Sequence, residues 1–279
     1  MIIINLTGQL GNQMFQYALG RQMQQLGRDV YYYTGYYKHH PNHDLALPRV
    51  FDIQLPLATE KQVLAFREDL HRPIDRLRRK IFGRHEHVFS EIGTGTLAFK
   101  PEVFSIRKGL IDGYWQSEKY FESVKTIIKQ TYSFRNISKP NEEFAPELRE
   151  GTSVSIHVRR GDYLGGFPVM DETYYLPAIC FFTERYNDVR FYVFSNDIPW
   201  CKNHLLADRI SFVDWNTGLQ SPYDLWLMTQ CKHSIIANSS FSWWGAWLNN
   251  NPGRKVIAPK LWFNHADTPD VYCRDWIVL

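Results

Sequence analysis

Residues 154–163, Val-Ser-Ile-His-Val-Arg-Arg-Gly-Asp-Tyr, gather the side chains of this chain best suited to chemistry. Val154, Ile156 and Val158 alternate with small or polar residues, the period of a β-strand, and two arginines, a glycine and an aspartate follow. Such a strand delivers His157, Arg159, Arg160 and Asp162 to a turn at its C-terminal end. In open α/β sheets ligands bind at that edge. Two adjacent guanidinium groups there can grip a diphosphate through forked, charge-assisted hydrogen bonds. The plainer reading is an ion pair of Arg160 with Asp162 that closes the turn.

Two further strand ends carry polar groups. Arg190–Phe194 runs into Ser195-Asn196-Asp197, and Ser234–Ala237 runs into Asn238-Ser239-Ser240 ahead of a Trp-rich helix expected at 241–249. If the sheet is parallel the three ends converge on one edge. The Ser239 and Ser240 hydroxyls at a helix start suit a phosphate, and the Asp197 carboxylate suits the N–H edge of guanine. The ordinary alternatives are Ser239 as a helix N-cap and Asn196-Asp197 as a turn. Trp243, Trp244 and Trp247 read as core more readily than as a ligand platform.

The elements that must position these groups alternate strand and helix, which predicts an α/β protein with parallel sheets. Ile2–Leu6 reads as the first strand, Gly8–Gln13 as a glycine-bearing loop and Met14–Leu26 as a helix ending at Gly27, a Rossmann-like opening without the dinucleotide spacing of glycines. Val30–Tyr33 is a strand, 34–48 a long Tyr/His/Pro loop, and Phe51–Leu57 and Glu60–Leu70 a short strand and a helix. Residues 67–84, with seven Lys or Arg among Leu70, Ile74, Leu77 and Ile81, predict a basic amphipathic helix, either a solvated face or a contact for anionic membrane. Leu110–Ser117 reads as a strand running into a turn, then a helix over Glu118–Gln130. The polar, Pro-bearing stretch 138–151 reads as a linker, giving lobes at 1–145 and 150–279.

Composition excludes several classes. A net charge of +3 is too small for a dedicated nucleic-acid binder. The four cysteines lie far apart, with no Cys-x-x-Cys pair, which argues against a zinc site or a disulfide framework. No run approaches the roughly 20 apolar residues that span a bilayer, and the N-terminus reads as a buried strand, so a cytoplasmic protein is expected, at most peripheral at the inner face of a membrane. Aromatic residues at 15% lean toward a carbohydrate ligand without deciding it.

The pattern His157-x-Arg159-Arg160-x-Asp162 resembles the first motif of the α-1,2-fucosyltransferases of glycosyltransferase family 11. Gly8–Ala18, Gly113-Tyr114-Trp115-Gln116, Phe194–Asp197 and Asn238–Leu248 fit the same family in order, over nearly the whole chain. The resemblance implies a GT-B arrangement, two Rossmann-like lobes with a cleft between them, the first facing the acceptor and the second binding GDP-fucose. It implies inverting transfer of L-fucose from GDP-β-L-fucose to the 2-hydroxyl of a terminal β-galactoside, in surface polysaccharide such as O-antigen or in oligosaccharide synthesis. Arg159, Arg160, Ser195, Asp197, Asn238, Ser239 and Ser240 become donor-binding candidates, and Asn12, Gln13 and Trp115 acceptor-binding ones. Arg159 is expected to meet the charge of the departing diphosphate, with Asp162 or His157 as candidate bases. No Asp-x-Asp motif occurs, so no metal or other cofactor is expected. Competing readings are another GDP-fucose transferase, of α-1,6 or protein O-fucosyl type, and a non-catalytic carbohydrate-binding protein.

Overall fold

The computed structural model describes residues 1–67, 77, 80, 81 and 87–279. The basic helix expected over 67–84 therefore lies, apart from Arg67, Leu77, Lys80 and Ile81, outside the described residues, as does the side chain of Asp162. Two units make up the chain: Met1–Ser133 with Pro269–Val271, and Phe134–Thr268 with Tyr272–Leu279.

In the first unit β1 (Ile2–Asn5), β2 (Val30–Tyr33), β3 (Val88–Ser90) and β4 (Gly109–Asp112) form a parallel sheet in the order β2-β1-β4-β3. Ile2, Ile3 and Ile4 are all fully buried, as a continuous apolar run in mid-sheet requires. The helix that follows β1 spans Leu10–Gln25 and buries Met14, Phe15, Ala18, Leu19 and Met23. It starts at Leu10, not at Met14. The expected glycine loop shrinks because Gln13 is bound by backbone groups on both sides of residue 45 and joins the first turn. The expected loop at 34–48 contains Tyr36–His39, a single helical turn, and the start of a second short helix, Ala46–Phe51, whose Leu47, Val50 and Phe51 are buried. Phe51–Leu57 forms no strand beyond a single parallel bridge of Leu57 to Tyr32. The helix expected at 118–130 is split by a kink at Phe121 (φ −140°, ψ 27°) into a 3-10 segment, Glu118–Val124, and an α-helix, Lys125–Thr131.

The second unit holds β5 (Thr152–Val158), β6 (Val189–Ser195), β7 (Ile210–Val213), β8 (His233–Ile235), β9 (Val256–Ala258) and β10 (Ile277–Val278). All are parallel, in the order β7-β6-β5-β8-β9-β10, the doubly wound Rossmann order. Helices Glu172–Thr183, Ile198–His204, Pro222–Gln230 and Ser240–Leu248 connect them. Asp171 caps the first of these by accepting the Thr173 N–H at 2.9 Å. Trp243, Trp244 and Trp247 are buried, so their core role holds. The expected linker is a correction: Lys139–Arg149 is a helix. Asn141, Ala145 and Leu148 are buried at helical spacing, and Pro140 sits in the first turn, where its missing N–H costs nothing. The chain passes between units near residue 133, not at 145–150.

Candidate functional site

Strand order reverses between β5 and β8, so the crevice outside their C-terminal ends is where a doubly wound sheet binds ligands. The three polar strand ends do meet there: β8, β5 and β6 are consecutive. Arg160 is held on three sides. Its N–H donates to Asn196 Oδ1 at 2.9 Å, its Nε to Asp197 Oδ2 at 3.2 Å, and its guanidinium lies 4.2 Å from the Trp200 ring centre. The expected partner was Asp162; the described ion pair is with Asp197, one strand away. Gly161 takes φ +31°, and a Cβ there would meet Asn196 Nδ2 at 2.6 Å, so this turn requires glycine.

Asp197 is committed twice. Oδ2 takes Arg160, and Oδ1 accepts the Trp200 N–H at 3.1 Å, capping the Ile198–His204 helix. Ser195 Oγ accepts the Asp197 N–H at 2.9 Å. The ordinary turn reading of 195–197 is therefore realised. Asn238 is buried, and its Nδ2 donates to the carbonyls of Pro168 and Trp262 at 2.9 and 3.3 Å. Ser239 occupies the N-cap position of Ser240–Leu248 without making the side-chain capping bond, and Ser240 is half-exposed.

Arg159 lies half-buried with its guanidinium 5.4 Å from the Tyr163 ring centre, and the Tyr163 hydroxyl reaches the Asn238 carbonyl at 3.4 Å. The end of β5 thus places Arg159 beside a ring that reaches the end of β8. His157 is 5% exposed, and burial with the nearby Arg159 charge lowers its pKa to about 3. Its imidazole is neutral at physiological pH and a poor proton acceptor.

A second polar group in this unit carries no sequence motif. Asn141 and Asn216 exchange amide hydrogen bonds at 2.9 and 3.0 Å, Trp215 Nε1 donates to Asn141 Oδ1 at 2.8 Å, and Asn216 Nδ2 donates to Asp224 Oδ1 at 2.8 Å. Burial pushes the Asp224 carboxyl up to about 7. No motif marks residues 75 positions apart as partners; only the helical spacing of the 139–149 helix hints at Asn141.

In the first unit two candidates are corrected. Gln13 is fully buried, with Nε2 on the Gly8 and Asp44 carbonyls at 3.1 and 2.7 Å and Oε1 taking the Leu47 N–H at 2.9 Å. Trp115 is also fully buried, stacked on Phe89 and edge-on to Tyr120. Both are structural, since neither leaves surface for a sugar. Asn12 stays half-exposed and accepts Gln116 Nε2 at 2.9 Å. The structure adds Asn5, Asp112 and the buried Glu91 at this sheet edge. Among the described residues no cluster of His, Cys, Asp and Glu is placed to hold a metal ion, and no helix is long and apolar enough to cross a membrane.

Comparison with known proteins agrees with this geometry. An α-1,2-colitosyltransferase from Escherichia coli is 32% identical, covering 96% of this chain and 94% of that protein. Galactoside alpha-(1,2)-fucosyltransferase 2 from Sus scrofa is 27% identical over 89% of this chain and 69% of its own length. The crystal structure of NodZ alpha-1,6-fucosyltransferase soaked with GDP-fucose superposes with a TM-score of 0.53 at 16% identity, covering 90% of this chain and 96% of that one. That likeness identifies the fold as GT-B type, an α/β fold of two Rossmann-like lobes. The family model for glycosyl transferase family 11 matches residues 102–279, and this chain is a member of that family.

Proposed function

We propose that this enzyme transfers L-fucose from GDP-β-L-fucose to the 2-hydroxyl of a terminal β-galactoside, inverting the anomeric centre and using no metal. The observation that supports it most is the β5–β8 crevice with its two arginines in different states. Arg160 is held in the turn by Asp197, Asn196 and Trp200, and Arg159, which follows the end of β5 and lies beside the Tyr163 ring, is the cation assigned to the diphosphate. A planar guanidinium there stabilises the charge that grows on the leaving group as the glycosidic bond breaks. The N-terminus of Ser240–Leu248, with Ser240 at its start, offers backbone N–H groups to the same phosphates. Ser195, Asp197 and Asn238 shape this pocket through the bonds described and need not touch the donor. The acceptor belongs to the first lobe and the donor to the second.

A second reading, colitose as the transferred sugar, is favoured by the 32% identity to a colitosyltransferase. The α-1,6 alternative has support only at the level of fold. Incubation with GDP-fucose or GDP-colitose and a panel of β-galactosides, followed by NMR linkage analysis, tests the proposal. An α-1,2-linked fucosyl product is expected. A 1,6 linkage, or transfer of colitose alone, overturns the donor and linkage assigned here. Contact of residues 67–84 with anionic lipid is part of the same proposal, and co-sedimentation with anionic but not neutral vesicles is the expected result.

A further inference from the structure

The parallel strands β1, β2 and β4 end at one edge of the first sheet, and the segments that leave them are tied down there. Asn5 Nδ2 donates to Asp112 Oδ1 at 2.8 Å, and Glu91 Oε1 accepts the Tyr114 and Trp115 N–H groups at 2.5 and 2.6 Å. The Gly8 carbonyl, past β1, accepts Gln13 Nε2 and the Tyr37 hydroxyl, both at 3.1 Å. Gln13 also holds the Asp44 carbonyl and the Leu47 N–H. The segment after β2 is thereby pinned at Tyr37 and again at 44–47, while residues 38–42 between the pins are exposed.

What the pinned segment displays is a pair of stacked rings. The His40 imidazole lies on the Tyr36 ring with centroids 3.8 Å apart and planes 9° apart. Tyr37 meets Tyr36 edge-on at 5.3 Å, and the Tyr36 hydroxyl lies 2.7 Å from His43 Nδ1. Burial and the neighbouring Tyr114 hydroxyl raise the Tyr36 pKa, so Tyr114 borders the same rings. His40 is exposed, and Tyr36 covers one face of its ring, so the surface it shows is the other face and the edge. His40 Nδ1 donates to the Tyr36 carbonyl at 2.9 Å, which makes Nε2 an acceptor in the neutral ring. The plain account of that bond is closure of the single turn Tyr36–His39. Closure needs one nitrogen and accounts for neither the flat stacking nor the hold on the Tyr36 hydroxyl. Asn12 Nδ2 packs over Gly8, where a Cβ would meet it at 2.5 Å, and among the described residues it donates to no acceptor.

A flat ring held open to water, with amide and imidazole nitrogens around it, matches the surface of a sugar. A pyranoside lays its C–H face on an aromatic ring and pairs its hydroxyls with polar groups at the rim. Rings already fixed in place raise affinity, because no side chain has to be ordered on binding. A galactoside suits such a face better than its 4-epimer, since its axial O4 leaves the hydrogens of C3, C4 and C5 on one side. We propose that the Tyr36–His40 stack is a subsite for the C–H face of a galactoside in the acceptor glycan, and that Asn12 Nδ2 bonds a hydroxyl of the same glycan. The sugar assigned rests on the transfer reading above; every residue of the subsite lies in the first unit.

The test titrates the full chain with lactose, a terminal β-galactoside, and with cellobiose, which differs from it only at C4 of the terminal sugar, read by saturation-transfer NMR. Wild type, His40→Ala, His40→Phe and Asn12→Ala are compared, with GDP affinity measured on each. Wild type should bind lactose more tightly than cellobiose. His40→Ala should weaken lactose binding about five- to tenfold with GDP affinity unchanged, and His40→Phe, which keeps a flat ring, should recover most of that loss. Asn12→Ala should lose about three- to tenfold. Lactose binding by His40→Ala within about twofold of wild type overturns the subsite. So do equal affinity for cellobiose, a wild type that binds no lactose, and loss of GDP affinity in step with lactose, which marks a structural group. Fucose transfer by a wild type whose lactose binding ignores His40 refutes the subsite and leaves the transfer reading standing. Lactose held through His40 with no sugar transferred does the reverse.

Discussion

Arg159 and Arg160 are neighbours in sequence with unlike roles, and the difference comes from what each touches. Arg160 is bonded into a turn by Asp197 and Asn196; Arg159 lies beside the Tyr163 ring. His157, two residues earlier, is shut away from water, and its pKa of about 3 keeps it neutral. The His157 Cε1–H resonance should therefore stay flat between about pH 5 and 8; a midpoint near the ordinary value of about 6.5 would contradict the burial argument. Asp224 is shifted the other way, to about 7. A carboxyl whose folded pKa is raised binds its proton more tightly when folded, so its contribution to stability is lost as pH rises from about 4 through about 7. Asp224→Asn should thus gain Tm relative to wild type at about pH 8 and little at about pH 5; parallel melting curves at both would refute the shift. Residue types and spacing marked Arg159, Arg160 and the polar strand ends. They did not mark Asn5, Asp112, Glu91, Asn141, Asn216 or Asp224, because each acquires its meaning from a partner on another strand or helix. Gln13 and Trp115 became candidates through the family resemblance, which does not show that the first is bonded to the backbone on three sides and the second packed between rings.

At the scale of elements, the site depends on turns that end strands rather than on the strands themselves. Gly161 is the sharpest case, with a left-handed φ and no space for a methyl group against Asn196. Gly161→Ala should cost about 1–3 kcal/mol of stability and weaken GDP binding, since displacing Asn196 also releases the Arg160 N–H. An alanine variant with wild-type Tm and GDP affinity would show that the turn tolerates a side chain. Gly20, inside the Leu10–Gln25 helix, is a case of close packing instead: an added Cβ would run into the Tyr32 hydroxyl. Gly20→Ala should lower stability by about 1–3 kcal/mol through overpacking, read by chemical denaturation. Strands were the most legible elements because apolar, β-branched runs bounded by turn residues have few alternatives. Helices that start with polar residues were not. Lys139–Arg149 carries Pro140 and Pro146, and Leu10–Gln25 begins within a glycine-bearing segment, so both starts were hidden by residues whose helical role depends on tertiary bonds.

For the whole molecule, strand and helix alternation gave the α/β class and parallel sheets, and the order of motifs along the chain gave the two lobes. The lobe boundary was misplaced because the 139–149 helix belongs to the second unit. Membership of glycosyltransferase family 11 follows from the match over residues 102–279 and the full-length relatives. In the proposed reaction Arg159 carries the largest share of the electrostatic load of the departing GDP. The most direct measurement is sugar transfer from GDP-fucose to a β-galactoside in EDTA by wild type, Arg159→Lys and Arg159→Ala. We predict undiminished wild-type turnover, a fall of about 100- to 1000-fold in kcat for the alanine variant, and incomplete rescue by lysine. Loss of wild-type activity in EDTA, or an alanine variant that turns over like wild type, would contradict the account.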